Sequence, residues 1–252
     1  MLDIKNISMS YHSKKGELNA LSNISFSVEE GEFVSIVGPS GCGKSTLLSI
    51  ISTLTKPSTG TVSINGKDNS KMKHFIGYMF QKDQLFPWRN ILQNVLLGLE
   101  IQGKLNDDNI EYAEGLLEKY GLSEFKKSRP SELSGGMRQR VALIRTLATK
   151  PQILLLDEPF SAIDYQSRLN VGKEVKEILK NENKTAVLVT HDIAEAISLS
   201  SRIIVLSKRP STVKNIHNIR FEDGLDPISV RKSLDFSKYF NDIWKELENN
   251  EE

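Results

Sequence analysis

The sequence predicts an α/β fold: a parallel sheet covered by helices on both faces, joined to an antiparallel β subdomain and a helical subdomain. Three observations carry this expectation. Apolar residues alternate in short runs up to about Gly66, helical spacing replaces them between Gln81 and Leu133, and from there continuous apolar runs alternate with helical patterns.

Taken in order, Leu2 and Ile4, then Ile24, Phe26 and Val28, then Val62 and Ile64 alternate as half-buried antiparallel strands do, the last pair running into an Asn65-Gly66 turn. Between them, Phe33 to Val37 is a continuous apolar strand. A glycine-rich turn follows, then a helix with Leu47, Ile50, Ile51 and Leu54 on one side. The middle third reads as a helical insertion, with Ile91, Val95 and Leu99, then Ile110, Ala113, Leu116 and Leu117 at helical spacing. Next comes a helix starting near Met137, with Met137, Val141, Ile144 and Ala148 on one face and a stop near Lys150-Pro151. The strand Ile153 to Leu156, a helix carrying Val171, Val175 and Ile178, and the strands Ala186 to Val189 and Ile203 to Leu206 complete the parallel pattern. The tail after Arg209 is polar and ends in a short amphipathic helix around Leu234 to Leu247.

Composition narrows the function classes. The 252 residues carry 33 Lys plus Arg against 32 Asp plus Glu, a net charge of +1 that gives no electrostatic case for nucleic acid as partner. Uncharged stretches such as Leu18 to Val28 fall well short of the roughly 20 apolar residues of a spanning helix. Asp3 and Lys5 with no apolar run behind them predict no secretory signal, and the single cysteine, Cys42, has no internal disulfide partner. A reducing, cytoplasmic location is expected.

Three strings carry chemistry. Gly38-Pro39-Ser40-Gly41-Cys42-Gly43-Lys44-Ser45-Thr46 fits G-x-x-x-x-G-K-[ST] between an expected strand and an expected helix. Gly41 and Gly43 let the backbone curl so that its N–H groups face a phosphate at the positive end of the helix. Lys44 would neutralise the β and γ phosphates, and Ser45 would ligate Mg²⁺. Cys42, inside the loop, would meet thiol reagents that ATP excludes. The second string ends an apolar strand with Asp157-Glu158, at the edge where open α/β sheets bind ligands. Adjacent residues of an extended chain point to opposite sides, so Asp157 can support the metal while Glu158 polarises water. The third, Ser134-Gly135-Gly136, opens a helix: a second anion-binding N-terminus with Ser134 as hydroxyl donor, or an ordinary N-cap.

These strings, in this order, resemble the ATP-binding subunit of an ABC transporter. Leu133 to Met137 resembles the family signature, with Met where Gln is commoner. Asp157-Glu158 resembles the Walker B end with its catalytic glutamate, and Ser161-Ala162-Ile163-Asp164 the D-loop with Ile for the usual Leu. Gln81 is similar to the Q-loop glutamine and His191 to the switch histidine. The resemblance runs from Leu2 to about Leu206. It implies that Tyr11, otherwise a core tyrosine, stacks on adenine, that Gln81 senses Mg²⁺ and water, that His191 contacts the γ-phosphate, and that Asp164 crosses to a partner subunit. A finer resemblance, to the nitrate, sulfonate and taurine importer ATPases and their aminopyrimidine relatives, rests on Gln81 to Arg89, Gly98 to Glu100, Arg209-Pro210 and Ile243-Trp244. Phe86, Pro87 and Trp88 suit either a groove for a helix of a membrane partner or a turn plugging the helical subdomain.

The resemblance implies a P-loop NTPase with a RecA-like parallel sheet core, one ATP-binding cassette over 1–252. The core and β subdomain would occupy about 1–80 and 138–208, the helical subdomain about 81–137, and a C-terminal extension 209–252. It implies a head-to-tail homodimer in the ATP-bound state, two membrane permease subunits, indirectly an extracytoplasmic substrate-binding protein, and a peripheral place on the cytoplasmic face of the membrane. The cargo expected is a small anion of the nitrate, sulfonate or taurine type, with an aminopyrimidine or other vitamin precursor as the alternative. A soluble ABC-type ATPase acting on nucleic acid would usually carry a long coiled-coil insertion, zinc cysteines or two cassettes. A GTPase is disfavoured because Asn183-Lys184-Thr185-Ala186 lacks the Asp that reads guanine.

Overall fold

The computed structural model describes residues 1–13, 16–161, 164–221 and 226–248. Its strands are β1 (Leu2–Ser13), β2 (Gly16–Val28), β3 (Phe33–Val37), β4 (Thr59–Ile64), β5 (Lys67–Asp68), β6 (Ile76–Met79), β7 (Ile153–Asp157), β8 (Thr185–Val189), β9 (Arg202–Leu206) and β10 (Val213–Asn218). Its helices are α1 (Lys44–Ile51), α2 (Ile91–Ile101), α3 (Asp107–Lys119), α4 (Gly135–Ala148), α5 (Tyr165–Asn181), α6 (Ile193–Leu199), α7 (Pro227–Val230) and α8 (Leu234–Glu248).

Two sheets result. The smaller is antiparallel in the order β2-β1-β4-β5. Its tight end is the Asn65-Gly66 hairpin, where Ile64 pairs with Lys67 and both turn residues take positive φ, 50° and 73°, as a two-residue hairpin of this type requires. The larger runs β10-β9-β3-β8-β7-β6, parallel except for β10.

Every residue of β3, β7 and β8 is buried, because the two faces of the parallel sheet are both covered. Alternate side chains serve different layers. Phe33, Leu154, Leu156, Ala186 and Leu188 share a core with α2 to α5, while Val34, Ile36, Ile153, Leu155 and Val187 pack with α1 and the antiparallel sheet. The middle third is helical, as its periodicity predicts. Its apolar stripes, Ile91, Val95 and Leu99 on α2 and Ala113, Leu116 and Leu117 on α3, join Val141, Ile144 and Leu147 of α4 in the same core. Gly77 of β6 lets α4 lie close: a Cβ there would stand 2.7 Å from Thr146 and 2.8 Å from Pro151.

Some boundaries differ from the sequence reading. Helix α1 stops at Ile51, and Thr53 turns into the left-handed region at φ 66°, so Leu54 is left exposed. Helix α4 begins at Gly135 rather than near Met137, because Ser134 already caps it. The polar tail supplies β10, which holds the outer edge of the sheet, and α8, whose Phe236, Tyr239, Phe240 and Ile243 cover β9 and α6. No helix among the described residues is long and apolar enough to cross a membrane.

Two buried polar residues make the packing testable. Asn94 of α2 is fully buried, accepts from the Phe86 amide at 2.7 Å, and places its Nδ2 within 3.2 Å of the Phe86, Arg89 and Asn90 carbonyls. Asn94→Ala should lower the unfolding free energy by about 2–4 kcal/mol, read by urea denaturation; an unchanged midpoint would show that other contacts hold this turn. Glu195 of α6 is 5% exposed, and burial pushes its carboxyl up to about 7 against a hydrogen bond with Thr190. The folded chain therefore holds this proton more tightly than the unfolded one, so the Glu195 contribution to stability falls as pH rises from about 4.5 to about 7. Glu195→Gln should flatten that part of the profile and gain most above pH 7. Parallel profiles for the two proteins would contradict it.

Candidate nucleotide site

Parallel pairing brings the C-terminal ends of β3, β6, β7 and β8 to one edge. From β3 the chain enters the glycine-rich loop, where Gly41 and Gly43 take φ of 71° and 110° and Gly43 caps α1. Lys44, the first residue of α1, is 7% exposed, and its ammonium donates to the carbonyls of Gly38 at 2.8 Å and Pro39 at 3.0 Å. Cys42 turns its thiol inward, 2% exposed and packed with the core beneath the loop. A bulky reagent does not reach it in this conformation, contrary to the expectation from its place in the string.

Ser45 donates its hydroxyl to Asp157 Oδ1 at 3.0 Å, and Tyr78 of β6 donates to Oδ2 at 3.2 Å. Burial raises the Asp157 carboxyl above the usual carboxylate range, opposed by these two hydrogen bonds. The next residue leaves the strand sharply: Glu158 sits at φ 45°, and its amide donates to the Val189 carbonyl at 2.8 Å. A left-handed conformation in a residue with a Cβ costs roughly 1–2 kcal/mol and persists where surrounding contacts impose it. The turn sends the two carboxylates apart. Glu158 Oε2 accepts from Gln81 Nε2 at 2.9 Å, and Oε1 lies 3.2 Å from His191 Nδ1. The ends of β6, β7 and β8 thus meet on one carboxylate.

Tyr11, near the end of β1, is 41% exposed with its hydroxyl 3.4 Å from Thr46 Oγ1, which sets the ring beside the end of the loop. Gln81 bonds to Glu158 rather than to the Ser45–Asp157 pair. Those two supply hard oxygen donors, and no cluster of three or more His, Cys, Asp or Glu able to hold a metal occurs among the described residues.

Other expected residues stand apart from this group. Ser134 is exposed at the start of α4 and accepts from the Met137 amide at 3.3 Å; neither it nor Gly135 nor Gly136 has a described hydrogen bond to the Lys44 loop. Asp164 caps α5 by accepting from the Ser167 amide at 3.0 Å, a bond that lowers its carboxyl pKa. Ala162 and Ile163 lie outside the described residues.

Sequence reasoning missed the support of Gln81. Gln139 of α4 donates to the Gln81 carbonyl at 3.1 Å, Arg138 pairs with Asp83 at 2.9 Å, and Arg145 donates to the carbonyls of Asp83 and Gln84 at 2.6 and 2.7 Å. Gln139 is buried on the side of α4 turned away from the Met137, Val141, Ile144 and Ala148 stripe, so helical periodicity carries no signal for it.

A family model described as ABC transporter matches residues 21–161. An uncharacterized ABC transporter ATP-binding protein of Bacillus subtilis, YtlC, is 49% identical over 98% of this chain and 95% of its own. The nitrate import ATP-binding protein NrtD of Synechocystis is 38% identical over 96% and 93%, and the taurine import ATP-binding protein TauB of Jannaschia 37% identical over 96% and 92%. Among solved structures, a dimeric post-hydrolysis state of the ATP-binding cassette MJ0796 with ADP and Pi superposes with a TM-score of 0.76 at 34% identity, covering 88% of this chain and all of that one. The phosphate loop, the paired carboxylates and these matches agree, and the chain belongs to the ABC transporter family, whose ATP-binding members are ATPases.

Proposed function

We propose that this chain powers a membrane importer for a small anion of the nitrate or sulfonate type, by closing and opening a head-to-tail homodimer around ATP. The observation that carries the dimer is the division of the site. One region of the chain gathers Lys44, Asp157, Glu158, Gln81 and His191, while Ser134, at the start of α4, stays exposed and has no described hydrogen bond to any of them. Two copies placed head to tail give each loop the helix start it lacks, and the MJ0796 cassette is described as dimeric.

ATP would lie along the loop, its adenine against Tyr11 and its phosphates facing Gly38 to Thr46. Lys44 exchanges the Gly38 and Pro39 carbonyls for phosphate oxygens. Ser45 and Asp157, a hydroxyl and a carboxylate side by side, would hold Mg²⁺, which when bound would neutralise charge on the phosphates. Glu158 orients water and takes its proton. Gln81 and His191, on its two oxygens, fix where that carboxylate points. The Ser134 helix start of the other copy, with Asp164 nearby at the interface, completes the anion site.

Import itself rests on the likeness to the nitrate and taurine import proteins. The permease would dock at the turn after Gln81, where Trp88 is 67% exposed and stacks on Phe86 with ring centroids 4.9 Å apart. Two permease subunits would hold the dimer at the cytoplasmic face of the membrane, with a substrate-binding protein on the far side.

Glu158→Gln keeps the shape of the side chain but removes the charge that draws the proton from water. Hydrolysis should fall by roughly 10² or more while ATP binding survives, so the variant should sediment as a dimer with ATP and a monomer without it. Adding Ser134→Arg should abolish that dimer. A persistent monomer with undiminished turnover would refute both the catalytic assignment and the shared site. Trp88→Ala should leave basal ATPase intact and weaken assembly with the permease by about 2 kcal/mol or more. Normal co-purification and normal uptake by this variant would place the docking surface elsewhere.

A further inference from the structure

The turn between β9 and β10 is fastened to the phosphate loop. Ser211 is fully buried there; its hydroxyl donates to the Cys42 carbonyl at 2.5 Å, its amide donates to the Ala20 carbonyl at 3.1 Å, and its carbonyl accepts from the Ser22 amide at 2.8 Å. These bonds leave the turn little freedom to slide. Two residues earlier, the exposed side chain of Arg209 reaches back over the loop: a Cβ placed on Gly41 would stand 2.9 Å from a terminal guanidinium nitrogen. Among the described residues, that guanidinium has no hydrogen-bond or ion-pair partner. It therefore adds an unneutralised cation to a loop whose N–H groups and Lys44 already favour an anion.

We propose that Arg209 is a further nucleotide-binding residue, its guanidinium engaging the phosphate chain of the nucleotide from the outer side of Gly41. Planar N–H donors in a fixed fork suit phosphate oxygens, and the contact gains most in a loop already shaped for them. Gly41 serves this arrangement twice, through its positive φ and through the space it leaves for the guanidinium. The inference rests on the assignment of the loop to ATP, and it gives the Arg209-Pro210 pair a chemical task.

Calorimetric titration of the full chain with ATP and with ADP tests it, using wild type, Arg209→Ala, Arg209→Lys and Lys44→Ala. Arg209→Ala should raise both dissociation constants roughly tenfold and lessen the weakening of binding by added salt, and Arg209→Lys should recover part of the loss. The nucleotide-free melting temperature should stay at the wild-type value. Unchanged affinity and unchanged salt dependence for Arg209→Ala would overturn the proposal, and so would lost affinity accompanied by a lower melting temperature and an unchanged salt dependence. Lys44→Ala separates the two readings: if it alone loses binding, the loop keeps its assignment and Arg209 loses its own. A wild-type chain that binds no ATP removes both.

Discussion

The register of the parallel sheet is the constraint on which the site depends. Asp157 pairs with Val189, and the Glu158 amide closes on the Val189 carbonyl, so the carboxylates and the start of the His191 segment are fixed relative to each other by backbone bonds. A slip of one residue would turn each buried side chain to the opposite face, sending those that pack with α2 to α5 into the layer of α1 and the antiparallel sheet. Burial of the strands and placement of the chemistry are thus one fact. The strain at Glu158 follows from it, since a continued strand would send that carboxylate away from Gln81 and His191.

Helix α4 gives the arrangement its reach. Ser134 caps its start, its first turns hold Gln81 and Asp83 through Gln139 and Arg138, and Arg145 grips the backbone at Asp83 and Gln84. One rigid element therefore links the exposed helix start, the turn bearing Trp88 and the glutamine on Glu158. A displacement at any of these places has a short, packed route to the other two.

The parts of the protein that were legible in the sequence are those encoded locally. Gly38 to Thr46 is a loop whose function follows from adjacent residues, and the stripes of α2, α3 and α5 are periodic because each has one apolar face. Strand β6 was not legible, since Gly77 and Tyr78 interrupt its apolar run for reasons that lie in α4 and Asp157. Strand β10 was hidden for the opposite reason: an outer strand with Lys214, Asn215 and His217 needs little burial and leaves little pattern. Arg138 and Arg145 of α4 leave no local pattern, because the turn they hold, at Asp83 and Gln84, lies more than fifty positions earlier in the chain.

The burial of Cys42 has a practical consequence. The chain carries one thiol, and it is sealed beneath the phosphate loop in the same buried core as Leu206 and Ile36. A cysteine introduced on the surface becomes the reactive one without removal of the native residue, so spin labels, fluorophores or cross-linkers can be placed on α4 or α8 in a chain whose loop is unaltered. The protein supplies its own silent background for distance measurements through a catalytic cycle.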